Sequence, residues 1–321
     1  MSQTPGVLAR VLTLEIVRVT EKAAIAAAKL RGKGDEKSAD QAAVDAMRRQ
    51  LSTLDIAGRI VIGEGERDEA PMLFIGEEVG TGDGPSVDIA VDPLEGTTIC
   101  AKALPDSLAV LAMAEGGSLL HSPDIYMNKI AVGPGYSEGV VDLDASPADN
   151  LAALAKEKGC GVDELTACIL DRSRHADLIA AVRATGAAVK LIGDGDIAGV
   201  IHTTNPEDTG IDIYMGVGGA PEGVLAAAAL RCIGGQIQTR LHPMKDDERK
   251  RVEAIGIADI DTKYAMNDLA KGDVIFAATG VTDGSMLRGV SFGRKIRTET
   301  VVMRSATKTV RWISTEHQVQ A

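Results

Sequence analysis

The sequence predicts a layered α/β fold, and three observations predict it. Apolar runs of strand length alternate along the chain with segments of helical periodicity. Hydrophobic residues make up 45% of the 321 residues but aromatics only 2%, so Ala, Val, Ile and Leu must fill the core, which suits close layers. A glycine-rich turn also joins a strand to an alanine-rich helix over residues 216–232, a typical α/β junction.

Residues 5–30 read as an amphipathic helix, with Val7, Leu8, Val11, Leu14 and Val17 at helical spacing. A charged turn over residues 32–37 follows. Ser38 or Asp40 then opens a second helix to about Leu54, with Ala42, Ala43, Ala46, Met47 and Leu51 inward. Strands are predicted over 59–63, 87–91, 108–114, 129–133, 139–143, 166–170, 188–192, 211–217, 274–279 and 299–304. Helices are predicted over 149–157, 175–185 and 224–232. The best candidate boundary is Lys158-Gly159-Cys160-Gly161, which divides the chain into residues 1–163 and 164–321. It has no linker composition, so the halves are expected to pack closely.

The net charge of −12 provides no broad footprint for nucleic acid or anionic lipid, and the scarcity of aromatics disfavours base stacking. It does supply carboxylates for metals. Phosphate handling on such a chain needs local inversion of potential by bound cations or by a few Lys and Arg. Cys100, Cys160, Cys168 and Cys232 form no CxxC pair and read as small buried residues, with Cys100 close to the main motif. No run reaches membrane-span length and no signal-peptide pattern opens the chain, so the expected location is the cytoplasm.

The strongest motif is Asp92-Pro93-Leu94-Glu95-Gly96-Thr97-Thr98, after a buried-looking strand. Two carboxylates around a proline turn can face one metal, Gly96 permits close backbone approach, and Thr97 stands where a helix can start. The plain alternative is an Asp-Pro turn with a capping threonine. Residues 63–69 place Glu64, Glu66, Asp68 and Glu69 after another strand. Alone they read as a solvated loop; with Asp92 they read as oxygen ligands suited to Mg²⁺ or Mn²⁺. In residues 216–223, Pro221 stands where a dinucleotide fingerprint needs glycine, and Glu222 is equally readable as helix cap or ligand. Arg172 and Arg174 suit phosphate, and Asp194 and Asp196 suit sugar hydroxyls.

At these residues the chain resembles the lithium-sensitive phosphatase superfamily, most of whose members carry Asp where this chain has Glu95. The fuller pattern resembles class II fructose-1,6-bisphosphatases. It is carried by residues 39–44, 62–66, 68–73, 123–127, 218–223 and 298–300, with the match running from about residue 6 to 317. The resemblance implies a layered α-β-α-β-α sugar-phosphatase fold. It implies Asp40, Glu64, Asp92, Glu95 and Glu222 as ligands of Mg²⁺ or Mn²⁺, and Thr97 as the group that assists the attacking water. Asp68 or Glu64 would take the proton. Glu95, Gly96, Thr97, Tyr126, Arg172, Ser173, Arg174, Asp194, Gly195, Asp196 and Gly219 would hold the substrate. Two departures stand out: Glu36 intervenes before Lys37 where the family has lysine directly after Asp35, and Arg172 replaces a lysine.

The activity so implied is hydrolysis of the 1-phosphate of fructose 1,6-bisphosphate, a gluconeogenic step, by a homo-oligomer of two or four chains. The rivals are the same chemistry on sedoheptulose 1,7-bisphosphate, an inositol phosphate or a nucleotide 3′-phosphate. From another class comes a silent metal- or phosphate-binding protein, against which the complete acidic set argues.

Overall fold

The computed structural model describes residues 8, 10–65, 72–257 and 259–318. Contacts divide the chain into two units, residues 1–120 with 270–321 and residues 121–269. The architecture is mixed α/β, with two mixed sheets and covering helices, consistent with a layered α/β phosphatase fold.

The first unit opens with α1 (Leu12–Ala28) and α2 (Glu36–Leu51). Then come β1 (Ala57–Ile62), β2 (Glu78–Val79), β3 (Ser86–Glu95), α3 (Thr97–Ala101) and β4 (Leu108–Glu115). The buried stripe of α1 is Leu12, Ile16, Val19, Ala23 and Ala27, at steps of three and four. This corrects the predicted stripe in part: Leu8 and Val17 are buried as expected, but Val11 and Leu14 are 62% and 53% exposed. The start of α2 is also earlier than predicted, because the Asp35 side chain accepts from Ser38 N at 3.0 Å and so caps the helix.

The second unit runs β5 (Tyr126–Val132), α4 (Pro147–Lys158), β6 (Thr166–Leu170), α5 (Ala176–Ala184), β7 (Ala188–Ile192) and α6 (Asp196–His202). It continues with α7 (Pro206–Thr209), β8 (Ile213–Gly219), α8 (Ala220–Ile233), β9 (Gln236–Leu241), α9 (Asp246–Ala254), β10 (Tyr264–Ala265) and α10 (Met266–Leu269). Its six strands lie in the order β10-β9-β5-β8-β6-β7. Ile130, Ile213 and Met215 share a core with Leu151, Leu154 and Val182 of α4 and α5. Met127 and Lys129, on the alternate face of β5, meet Gly223 of α8.

The proposed boundary at 158–161 falls inside this second unit, where Gly159 closes α4 in the left-handed region. The predicted strand at 139–143 is a turn: Gly139 N and Leu143 N donate to the side chains of Gln236 and Gln238, and Asp142 N to Asn150. Those side chains satisfy the amides that a ladder would otherwise have paired.

The chain then returns to the first unit as β11 (Val274–Gly280), β12 (Ser291–Phe292), β13 (Lys295–Arg304) and β14 (Thr309–Gln318). The first unit's sheet is ordered β12-β13-β11-β4-β3-β1-β2, with β14 paired to β13. β11 thus stands between β4 and β13, antiparallel to both. Helix α1 packs on β11, β13, β4 and β3, while α2 packs on β3 and α3. Thr20 of α1, Thr279 and Thr300 are linked by hydroxyl hydrogen bonds in this buried layer. No described helix is long and apolar enough to cross a membrane.

Candidate functional site

In the first unit the acidic residues gather where β1 and β3 end. These strands run parallel, with Ile62 opposite Ala90, so Glu64 leaves the sheet at the end where Asp92 stands. The carboxyl ends of parallel strands are the usual place for a site. Gly63 precedes Glu64 because nothing larger fits: a Cβ there would lie 1.9 Å from Leu73 O. Glu64 N donates to Leu73 O, and Ile75 N to Gly65 O, each at 3.0 Å, fastening the base of the loop. Glu66, Asp68 and Glu69 lie outside the described residues.

Asp92 and Glu95 owe their placement to a bulge. In a regular strand, residues three apart face opposite sides. Here Asp92 pairs with Val110 and Glu95 with Leu108, so β3 carries one extra residue. Pro93, which has no amide hydrogen to give a ladder, occupies the bulge. Leu94 N donates to Asp92 Oδ1 at 3.1 Å. The result is one carboxylate oxygen from each of Asp92 and Glu95 within 4.8 Å of the other. Glu95 is only 4% exposed. Its carbonyl accepts from Ser107 Oγ at 2.9 Å, and Ser107 N donates to Thr282 Oγ1. Paired oxygen donors in a half-buried setting fit a hard divalent cation.

Gly96 follows with φ of 75°, and the half-buried Thr97 begins α3. Asp40 is half-buried on α2, and burial raises its carboxyl pKa above the usual value. Gly32 N and Gly34 N donate to the carbonyls of Cys100 and Ala101, tying the turn before α2 to α3. None of the four cysteines forms a disulfide; Cys100 is buried, which pushes its thiol pKa up.

In the second unit Tyr126 pairs with Gly219 across β5 and β8. The Arg174 guanidinium lies 4.7 Å from the centroid of the Tyr126 ring, and its Nε and Nη2 donate to Val217 O at 3.1 and 2.8 Å. Tyr126, Arg174 and Gly219 are therefore brought together. Ser173 opens the short 3₁₀ turn before α5. Arg172 stands 3.8 Å from Asp194. Gly195, with φ of 80°, leads into α6.

Asp196 departs from the sequence reading. It is buried, and its Oδ2 accepts from Lys129 Nζ at 2.6 Å and from Tyr214 Oη at 3.2 Å, two partners the sequence reading did not include. Glu222 stands in the first turn of α8, folded so that a Cβ on Gly219 would lie 1.9 Å from its Oε2. Sequence reasoning missed Lys129, although a lysine in an otherwise apolar central strand was the available signal. It also passed over His175, whose two ring nitrogens hold Leu170 O and Val217 N at 2.8 Å each.

The chain matches the family described as bacterial fructose-1,6-bisphosphatase, glpX-encoded, over residues 10–317. It is 48% identical to a "D-fructose 1,6-bisphosphatase class 2/sedoheptulose 1,7-bisphosphatase" of Synechococcus sp. (strain JA-3-3Ab), covering 95% of each chain. It is 45% identical to a protein of the same description from Prochlorococcus marinus (strain NATL1A), covering 96% of each. The chain belongs to the bacterial, glpX-encoded fructose-1,6-bisphosphatase family, whose members are phosphoric monoester hydrolases.

Proposed function

We propose that this chain removes the 1-phosphate of fructose 1,6-bisphosphate with Mg²⁺ or Mn²⁺ held by Asp40, Glu64, Asp92, Glu95 and Glu222. The observation that carries this reading is the Pro93 bulge, which sets two carboxylates side by side immediately before the Gly96 turn and Thr97. A divalent cation there supplies charge against the phosphate, acidity for water and stabilisation of the leaving oxygen. Thr97 orients the attacking water and takes a proton from it while passing its own hydroxyl proton to Glu64 or Asp68. Gly96 offers backbone to the reacting phosphate. Arg174, fixed by Val217 O and the Tyr126 ring, grips the distal 6-phosphate together with Arg172. Ser173, Asp194, Gly195 and Gly219 complete the sugar-holding set.

The relatives' names also carry sedoheptulose 1,7-bisphosphate, which presents the same reacting phosphate on a longer sugar, and we extend the reading to it. The chain would act in the cytoplasm as a homo-oligomer, in gluconeogenesis or a related sugar-phosphate cycle. Phosphate release from both bisphosphates, from fructose 1-phosphate and from an inositol monophosphate, each with Mn²⁺, tests the reading. Turnover of the two bisphosphates far above the monophosphates is expected. Preference for inositol monophosphate, or no turnover of any substrate, would overturn it.

A further inference from the structure

Lys129 and Asp196 form a buried ion pair in the second unit, with side chains 1% and 5% exposed and Nζ 2.6 Å from Oδ2. Tyr214, fully buried, donates to the same oxygen at 3.2 Å. Two charges taken out of water give little stability compared with apolar side chains of similar volume, so the pair needs another reason to be there.

Its surroundings supply one. A Cβ on Gly218 would fall 1.8 Å from Asp196 Oδ2 and 3.0 Å from Lys129 Nζ. A Cβ on Gly223 would fall 2.7 Å from Met127 Sδ and 3.4 Å from Lys129 Cε. The end of β8 and the first turn of α8 therefore close directly onto the pair, with glycine at both points of contact. Glu222 lies between those glycines. Because an ionic contact has a short, directional optimum, the pair fixes the height of this turn where apolar packing would let it settle at a range of distances.

We propose that Lys129 and Asp196 are positioning residues for Glu222: the buried pair is the floor on which the Gly218–Gly223 turn rests, and it sets where the Glu222 carboxylate stands. The proposal rests on the reading of Glu222 as a metal ligand. It also gives Asp196 a role beneath the site, in place of contact with a sugar hydroxyl.

The test uses Mn²⁺ binding to the full chain, read by electron paramagnetic resonance, beside melting of the metal-free protein and steady-state kinetics. Lys129→Met alone should lower the melting temperature, since it strands a buried carboxylate. Lys129→Met with Asp196→Asn should recover part of that loss. Asp196→Asn alone keeps the shape and an oxygen acceptor for Tyr214 but leaves the Lys129 charge unpaired, so the double variant, which buries no lone charge, is the one that preserves the fold. The double variant and Asp196→Asn should bind Mn²⁺ about 10- to 100-fold more weakly, the range for groups that orient a ligand. Their KM for fructose 1,6-bisphosphate at saturating Mn²⁺ should stay within about twofold, because no substrate contact is lost. Glu222→Gln provides the reference. Wild-type Mn²⁺ affinity in Glu222→Gln would remove the ligand reading and the proposal with it. Weakened binding in Glu222→Gln but wild-type affinity in Asp196→Asn and in the double variant would overturn the positioning role alone. A raised KM in Asp196→Asn with unchanged Mn²⁺ affinity would likewise overturn it and return Asp196 to the substrate.

Discussion

His175 and Arg174, adjacent in sequence, grip the two ends of one residue: His175 Nε2 accepts from Val217 N at 2.8 Å, and Arg174 donates to Val217 O at 2.8 and 3.1 Å. This geometry requires the His175 proton on Nδ1, where it donates to Leu170 O, and a neutral ring. Burial is the main cause that lowers its pKa below the ordinary 6.5, with Arg174 and Arg172 adding to it. The unfolded chain therefore binds the extra proton first. The stability contribution is fully present above pH 6.5 and is lost as pH falls through the lower folded value. Melting temperature should drop on acidification, and the slope below pH 6.5 should be shallower in His175→Gln than in wild type. Identical slopes would show that the ring titrates freely.

Glu95 and Asp92 should each be indispensable. Glu95→Gln or Asp92→Asn should abolish turnover with Mg²⁺ or Mn²⁺ while the fold survives. The metal-free melting temperature should hold or rise, because neighbouring carboxylates repel when no cation lies between them. Near-normal kcat in either variant would remove the pair from the metal site.

Thr97→Ala should lower kcat by on the order of 100-fold with little change in KM, since a group that orients water acts mainly in the transition state. Thr97→Ser should keep much of the activity. Equal rates in the two variants would reduce Thr97 to the opening residue of α3.

Arg174→Ala should raise KM for fructose 1,6-bisphosphate by a factor corresponding to about 1.5–3 kcal/mol, the worth of a charge-assisted hydrogen bond. It should leave kcat/KM for fructose 1-phosphate nearly unchanged, because that sugar lacks the distal phosphate. Parallel losses on both sugars would show that Arg174 acts only through Val217 and Tyr126.

Much of this was legible because its causes are local. The Pro93 turn, Gly96 before Thr97 and the continuous apolar runs of β3, β4 and β6 all announce themselves within a few residues, whereas the Asp35 cap was passed over for Ser38 or Asp40. What escaped depends on distant partners. The 139–143 segment has strand composition, but Gln236 and Gln238 take the amides that would have paired. Strand β14 was missed because it borders only β13 and its half-buried positions include Thr315 and His317, so the alternation of burial from Trp312 to Gln318 is not an alternation of hydropathy. The glycines at 218 and 223 read only as part of a strand-to-helix turn, because what they close upon, Lys129 and Asp196, comes from segments far along the chain.

The position of β11 has a consequence for how the molecule is made. During synthesis β4 emerges long before β11, while all of residues 121–269 are still to come. Until then the buried residues Leu108–Ala114 line an unpaired apolar edge, the kind that recruits a neighbouring chain. The second unit, contiguous in sequence, can fold on the ribosome as a block, whereas β4, the antiparallel partner of the strand that carries Asp92 and Glu95, must wait for β11, on the order of ten seconds at ordinary elongation rates. Stop codons or cleavage before residue 274 should therefore yield a product that aggregates through β4, even though every residue at the acidic end of β3 has already been translated.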